Sequence, residues 1–443
     1  MRVLGCKVNQ AEAAAMAMIL EKNGYEIDPA AADPDLVLVN TCCVTQRAEG
    51  KSRRTVGSLA DKYPFARLVV TGCLAEVDPS SVENVSDGTV VLGAFEKDRF
   101  AQLVQSSFEH HAEAYGQSAS SCTTFADLGS CGIPDRARSF LKIQDGCSQR
   151  CAYCIVPIAR GPSRSLAPDR VVAHACRLGA AGSAEIVLTG IHLGSYGRDL
   201  SPAVTLGELL EQLLEECPLT RFRLSSLEPQ EITPLLIELA SQNPRVCRHF
   251  HIPLQSGDDK ILQRMGRPYD TALICGLLDK ILSGSPETCV GMDVMVGFPG
   301  EDEASYRRTV NLIGEIAPAY LHVFPFSPRP GTRAASFKPR VPEKVARERV
   351  EELRGISSEL RKRFYERFLG CTLTAVKEEA PEGPSTVFQA RTDNYIPVIV
   401  RALPSLAGKR SFPVCLEDMV DGEVFGTVAL RSALSSSEST PEP

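Results

Sequence analysis

The feature that most constrains this chain is a run of three cysteines, Cys147-Ser148-Gln149-Arg150-Cys151-Ala152-Tyr153-Cys154. Thiols at this CxxxCxxC spacing, just past an apolar strand, can wrap one face of a cubane iron–sulfur cluster and leave its fourth iron without a protein ligand. Structural zinc takes four protein ligands, and no fourth Cys or His lies close in the sequence. Three core cysteines brought together by chance are the other alternative. A loop of this kind needs a rigid frame. From Ser139 to about residue 340, strand patterns recur at Phe140 to Ile143, Glu185 to Thr189, Phe222 to Leu224, His249 to Ile252, Gly291 to Val296 and Tyr320 to Phe324. Helical patterns separate most of them. Six repeats of strand then helix specify a barrel or partial barrel with its chemistry at the C-terminal strand ends.

Residues 1–105 alternate in the same way. Leu36 to Val39, Arg67 to Thr71 and Thr89 to Leu92 read as strands, and Glu12 to Asn23 as a helix stopped by Gly24. The alternation implies a parallel α/β sheet. Cys6, Cys42 and Cys73 each sit at or just after a strand end, the edge at which open α/β sheets bind ligands. Parallel pairing would gather the three thiols for a second cluster. Spacing alone leaves this open against buried small hydrophobes. Cys43 rivals Cys42, and the turn position after Asn40-Thr41 favours Cys42.

The other cysteines bear on the redox setting. The chain of 443 residues has 16 of them, and the opening MRVLGCKVNQ has no apolar signal core. Disulfides explain such a count poorly in a reducing compartment, so metal ligation or catalysis is expected, in the cytoplasm. No apolar run is long enough to span a bilayer. The net charge of −7 argues against a wholly basic nucleic-acid binder but leaves room for a local basic face.

The boundaries follow from changes in pattern. Residues 106–137 are small and polar and read as a linker. Residues 138–369 hold the barrel and a charged amphipathic helix, 342–369. Residues 371–431 read as a small all-β module, and 432–443 as a disordered polar tail.

The triplet with Tyr153 before its last Cys closely resembles the radical S-adenosylmethionine superfamily. With Phe140 to Cys147, Ile155-Val156-Pro157, Arg160-Gly161, Arg164-Ser165 and the three N-terminal segments, the chain resembles the methylthiotransferase family over residues 1 to about 431. Leu4 to Gln10, Asn40 to Thr45 with Lys51-Ser52-Arg53, Leu188 to Gly197 and His249 to Gly257 look most like the branch acting on N6-threonylcarbamoyladenosine beside the tRNA anticodon. Sister branches act on isopentenyladenosine in tRNA or on an aspartate of a ribosomal protein. The resemblance implies an N-terminal parallel α/β domain, a partial TIM-type barrel and a small C-terminal TRAM module that binds RNA. It also implies two [4Fe–4S] clusters, on Cys147, Cys151 and Cys154 and on Cys6, Cys42 and Cys73. S-Adenosylmethionine is the expected co-substrate, tRNA the substrate, an electron-donor protein the reductant and a monomer the working form. A reading of a different class is a non-catalytic iron–sulfur protein that binds RNA. Two departures stand out. Five residues precede Cys6, so the first strand is short, and the C-terminal module has few glycines at its turns.

Other residues fall at barrel strand ends. Gly190 leaves space there, and Ser225 and Glu228 follow the strand at Phe222 to Leu224. Similar positions in the superfamily contact S-adenosylmethionine. Glu228 has a bland alternative as a helix cap before Pro229. Gln255-Ser256-Gly257 and Gly297 to Glu301 are cofactor-edge turns or plain turns. Asp293 faces a cofactor or makes a structural ion pair. The seven histidines show no metal-ligand spacing. Arg361-Lys362-Arg363 is the candidate phosphate contact, against a merely solvated face. Asn394 and Tyr395 are candidates for base stacking.

Overall fold

The computed structural model describes residues 1–28, 30–86, 88–93, 100–109, 123–130, 137–378, 387–401 and 410–429. In the N-terminal domain the order is β1 (Arg2–Val3), α1 (Lys7–Lys22), β2 (Leu36–Thr41), α2 (Gln46–Lys62), β3 (Arg67–Gly72), α3 (Cys73–Val77), α4 (Ser80–Glu83), β4 (Val90–Leu92) and α5 (Phe100–Glu109). The four strands pair in chain order and all in parallel. Helices cover both faces, which is why β2 and β3 are apolar without alternation. Leu38 and Val69 pack with Met16 and Leu20 of α1, while Val37, Val39 and Val70 pack with Val56 and Ala60 of α2.

The barrel follows with β5 (Arg138–Lys142), β6 (Gln144–Asp145), α6 (Val156–Arg160), β7 (Arg164–Ser165), α7 (Pro168–Ala180), β8 (Glu185–Thr189), α8 (Leu206–Glu216), β9 (Arg221–Leu224), α9 (Pro234–Gln242), β10 (His249–Gln255), α10 (Asp259–Met265), α11 (Thr271–Gly284), β11 (Cys289–Val296), α12 (Glu303–Ile316) and β12 (Tyr320–Pro325). β5-β8-β9 and β10-β11-β12 form two parallel three-stranded sheets. A bridge between Phe222 and Val246 and a hydrogen bond from Leu227 N to His251 O at 3.0 Å join them. Among the described residues β5 and β12 do not pair, so the barrel is partial. α1 lies along β5, where Lys142 meets Glu12 at 3.0 Å. Thr205 and Glu208 close a capping box at the start of α8.

α13 (Glu343–Glu366) leads to β13 (Thr372–Lys377), β14 (Val387–Thr392), β15 (Pro397–Arg401), β16 (Ser411–Val420) and β17 (Glu423–Val428), a closed barrel in the order β13-β14-β15-β17-β16. Glu185 binds this module to the larger barrel. Its carboxylate, fully buried, takes Arg138, Arg221 and Arg223 at 2.6–2.8 Å. Arg221 donates onward to the carbonyls of Thr374 and Arg391, and Arg223 to those of Thr392 and Asp393. The module therefore covers the end where the barrel strands begin.

The stretch read as a linker is partly structured. α5 reaches Glu109, Leu128 is buried against the N-terminal domain, and Asp127 accepts from His174 of α7 at 2.8 Å. His110, His111, residues 118–122 and the tail 432–443 lie outside the described residues.

Candidate metal centres and active site

The strand end at Lys142 and the short antiparallel pair of β6 with β7 frame the loop carrying Cys147, Cys151 and Cys154. Asp145 Oδ1 accepts from Gly146 N at 2.8 Å and fixes the turn into Cys147. Cys147 N donates to Gly161 O at 3.0 Å, Ala152 N to Met265 O at 2.7 Å and Cys154 N to Cys151 O at 3.2 Å. All three are free cysteines in half-buried positions. His192 Nδ1 lies 3.6 Å from Cys147 Sγ, with its Nε2 2.9 Å from Glu231. Arg267 donates to Cys151 Sγ at 3.2 Å and pairs with Glu228. Burial pushes the Cys154 thiol up to about 12 and raises Cys151 as well.

The parallel register of β1, β2 and β3 delivers Cys6, Cys42 and Cys73 to one sheet edge. A Cβ on Gly5 would fall 2.8 Å from Cys42 Cβ and 3.1 Å from its Sγ, so the first and second loops touch. Burial raises both the Cys6 and the Cys42 thiols, and a thiolate at position 73 would raise them further. Gly72 holds φ +96°, and a Cβ there would meet Thr41 O at 2.4 Å, so only glycine fits before Cys73. Cys43 packs beside Cys73. It is fully buried in the α2 face of the core, and its Sγ donates to Cys73 O at 3.3 Å.

One buried arginine joins the two centres. Arg160, at the end of α6, is 1% exposed. Its Nε donates to Cys73 Sγ at 3.4 Å, and its other nitrogens reach Glu12, Asp145 and Asn9 at 2.6–3.2 Å. Lys142 completes the layer on Glu12 and Asp145. Burial disfavours the charged forms, but Lys142 and then Arg160 hold Asp145 well below the usual carboxylate range.

These donor sets fit iron–sulfur clusters. Each site offers three free cysteines. Burial also lifts Cys42 to about 12, a cost that a metal's charge removes as it displaces the proton. Beside the N-terminal triplet, Asn40 Oδ1 and Thr71 Oγ1 are buried without a hydrogen-bond partner. Co-substrate groups would find similar free atoms in the barrel. Ser225 Oγ, just past β9, and Gln255 Oε1, at the end of β10, are buried and unpartnered. Gln255 also holds φ +61°, unusual for a residue with a side chain.

Other sequence candidates are placed differently. The space at Gly190 belongs to Gln144, whose Oε1 would lie 2.8 Å from an added Cβ. Gln144 in turn accepts from His192 N at 2.7 Å and donates to Asp145 O, Gly146 O and Ser163 Oγ. Glu228 makes no side-chain cap; its carboxylate is committed to Arg267. Glu301 pairs with Arg349 and accepts from Gly297 N, which makes that turn structural. Asp293 meets His251 Nε2 at 2.9 Å and His322 Nδ1 at 3.4 Å, a grouping that three separate strands create and no sequence spacing announces. Asn394 is fully buried, and Tyr395 stacks on His249 with ring centroids 4.0 Å apart. Neither therefore offers an outer stacking surface. Arg361, Lys362 and Arg363 are exposed near the end of α13. Arg267, Gln144, His192, Glu12 and Asn9 were not singled out, because their value lies in partners distant along the chain.

Among known proteins, the family described as "Uncharacterized protein family UPF0004" matches residues 1–93, and the Radical SAM superfamily matches residues 141–313. The threonylcarbamoyladenosine tRNA methylthiotransferase MtaB of Bacillus subtilis is 35% identical over 410 residues, covering 92% of this chain and 91% of that protein. The enzyme of the same name from Thermotoga maritima is 34% identical over 83% of each chain. Among solved structures, the radical S-adenosylmethionine methyltransferase TsrM of Kitasatospora setae, with tryptophan substrate and an S-adenosylmethionine analogue bound, superposes with a TM-score of 0.54. It is 16% identical, over 73% of this chain and 72% of that one, which supports the fold. No helix of the described residues is long and apolar enough to cross a membrane.

Proposed function

The chain belongs to the threonylcarbamoyladenosine tRNA methylthiotransferase family, and we propose that it places a methylthio group on C2 of N6-threonylcarbamoyladenosine at position 37 of tRNA. The observation that supports the reading is Arg160, whose guanidinium donates to Cys73 Sγ and to Asp145, just before Cys147 in the sequence. In this reading the barrel triplet holds the [4Fe–4S] cluster that meets S-adenosylmethionine, and the N-terminal triplet holds the auxiliary [4Fe–4S] cluster. When bound, these groups supply one-electron cleavage of S-adenosylmethionine and a carried sulfur, chemistry no side-chain acid or base provides at an unactivated C–H bond.

The chain's own residues bind, orient and insulate. Arg267 places positive charge against Cys151 while Glu228 balances it. His192 hydrogen-bonds Cys147 and is itself held by Glu231 and Gln144. Burial works against its imidazolium, but the bonds to Cys147 and Glu231 outweigh that and raise it to about 10. Ser225 and Gln255 offer free polar atoms to the polar end of S-adenosylmethionine. The C-terminal module and the exposed Arg361-Lys362-Arg363 segment take tRNA phosphates, and an electron-donor protein supplies the reductant to a monomer.

The test is nucleoside mass spectrometry after anaerobic reaction with matched tRNAs carrying threonylcarbamoyl or isopentenyl adenosine. Methylthio product on the threonylcarbamoyl tRNA is expected. Equal or better turnover of the isopentenyl tRNA, or product on a ribosomal protein alone, refutes the reading.

A further inference from the structure

The sheet β10-β11-β12 has one apolar face and one polar face. Phe250 and Ile252, Met292 and Val294, and Leu321 pack in the core shared with the surrounding helices. Their chain neighbours face the barrel interior, because side chains alternate along a strand. In the parallel register His251 stands opposite Gly291, Gly291 opposite Tyr320, and Asp293 opposite His322. One interior surface therefore carries His251, Asp293 and His322 on three adjacent strands. None of them has a part in the cluster chemistry described above.

The three side chains converge. His251 Nε2 lies 2.9 Å from Asp293 Oδ1, and His322 Nδ1 lies 3.4 Å from the same oxygen. The two imidazole rings are 4.8 Å apart between centroids, and one donor atom from each of the three residues lies within 4.8 Å of the others. Ligands about 2.1 Å from a tetrahedral ion stand about 3.4 Å from one another. Two edges of the triangle already meet that spacing, and a turn of the His322 ring closes the third. One imidazole would suffice to pair the carboxylate, yet two from different strands meet on a single oxygen.

The surroundings support the same arrangement. Tyr320 Oη meets His251 Nδ1 at 3.1 Å, which directs Nε2 to Asp293. Metal-bound imidazoles are held in this way at their other nitrogen. Tyr320 reaches His251 across β11, where a Cβ at Gly291 would collide with the Tyr320 ring. His251 is buried, Asp293 half-buried and His322 exposed. The triangle is thus anchored at one corner and open at another, where an ion can enter and further ligands can bind.

We propose that His251, Asp293 and His322 bind one divalent first-row metal ion, with zinc the best match to two imidazoles and a carboxylate, and with its remaining positions open to the barrel interior. The site shares no residue with either cysteine triplet, and its occupancy is independent of the tRNA substrate assigned above.

The test uses full-length enzyme with its clusters installed anaerobically, so that the triplet thiols are occupied. The enzyme is equilibrated with chelator-buffered zinc, and zinc and iron are counted together. About one zinc per chain should bind with iron unchanged, and its X-ray absorption should show nitrogen and oxygen neighbours without sulfur. His322→Ala, at an exposed position that tolerates truncation, and Asp293→Asn, which keeps the shape of the side chain, should each weaken zinc binding by about 100-fold or more. Tyr320→Phe should weaken it by about 10-fold, the usual scale for an outer hydrogen-bond partner. Zinc held through sulfur, wild-type affinity in His322→Ala and Asp293→Asn, or no zinc in the wild type beyond that in these variants overturns the site. Methylthiolation of the threonylcarbamoyl tRNA is scored separately, so either result leaves the functional reading to its own assay.

Discussion

One loop assembles the Cys147, Cys151 and Cys154 triplet, whereas a sheet assembles Cys6, Cys42 and Cys73. The loop triplet is set by bonds close in sequence, such as Asp145 to Gly146 and Cys154 N to Cys151 O. The sheet triplet depends on register, with Asn40 opposite both Val3 and Thr71. A one-residue slip between strands would turn a side chain to the other face. Each triplet borrows an arginine from elsewhere, Arg267 on Cys151 and Arg160 on Cys73. Arg267 serves one centre. Arg160 serves both, because it also grips Asp145 beside the loop.

The largest expected effect separates the triplets completely. Reconstituted wild-type enzyme should carry about eight irons, two four-iron cubanes. Changing Cys147, Cys151 and Cys154 to Ala should leave about half of that and abolish cleavage of S-adenosylmethionine. Changing Cys6, Cys42 and Cys73 to Ala should likewise remove about half and abolish methylthiolation, while 5′-deoxyadenosine still forms. Full iron in either triple variant, or methylthio product from the second, would break the assignment.

The two arginines should differ next. Arg160→Met leaves Glu12 and Asp145 buried with less compensation, a change that typically costs about 3–5 kcal/mol. Iron at both centres should fall and the thermal midpoint should drop. Arg267→Met should slow S-adenosylmethionine cleavage and leave auxiliary iron in place. Equal losses of iron at both centres from the two variants would show that Arg160 is not a shared support.

Much of this arrangement was legible in the sequence. The CxxxCxxC spacing marked the loop, and apolar runs marked β2, β3, β8 and β11 within a few residues of their observed bounds. The turn position after Asn40-Thr41 favours Cys42 over Cys43, and in the structure both are buried, with Cys43 Sγ bonded to the Cys73 carbonyl. The electrostatic layer was not legible. Glu12 and Arg160 are 148 positions apart, and Arg223 and Thr392 are 169 apart. Such pairs leave no local pattern, since only the folded chain makes burying either partner tolerable. Asn394 and Tyr395 are candidates for base stacking by residue type alone. The arginines around Glu185 draw that turn into the barrel instead.

A smaller effect tests how the loop triplet is supported. Gly190→Ala should impair S-adenosylmethionine cleavage by displacing Gln144 from His192 N and Gly146 O. Gln144→Ala should impair it similarly. If Gln144 is the sole route, the double variant should be little worse than either single one, a coupling a double-mutant cycle measures. Full additivity would instead place Gly190 directly against the co-substrate.

The smallest effect concerns the adjacent thiols at the sheet edge. Cys42 faces Cys6 and Cys73, while Cys43 is fully buried among Val37, Val39, Val56 and Leu74 and donates only to a backbone carbonyl. Cys43→Ala removes one sulfur from a packed core, a loss of about 1–2 kcal/mol by analogy with other small core truncations. It also frees the Cys73 carbonyl, whose residue still has its backbone held by β3 and α3. Thermal stability should therefore dip while iron content and methylthiolation persist. Cys42→Ala also truncates a buried side chain, so its apo-protein midpoint should dip comparably, but it alone should lose auxiliary iron. Measuring iron at matched apo-protein stability separates the two roles. Loss of auxiliary iron from Cys43→Ala with retention in Cys42→Ala would exchange them, and would mean that the β2 register seen here is not the one that binds metal.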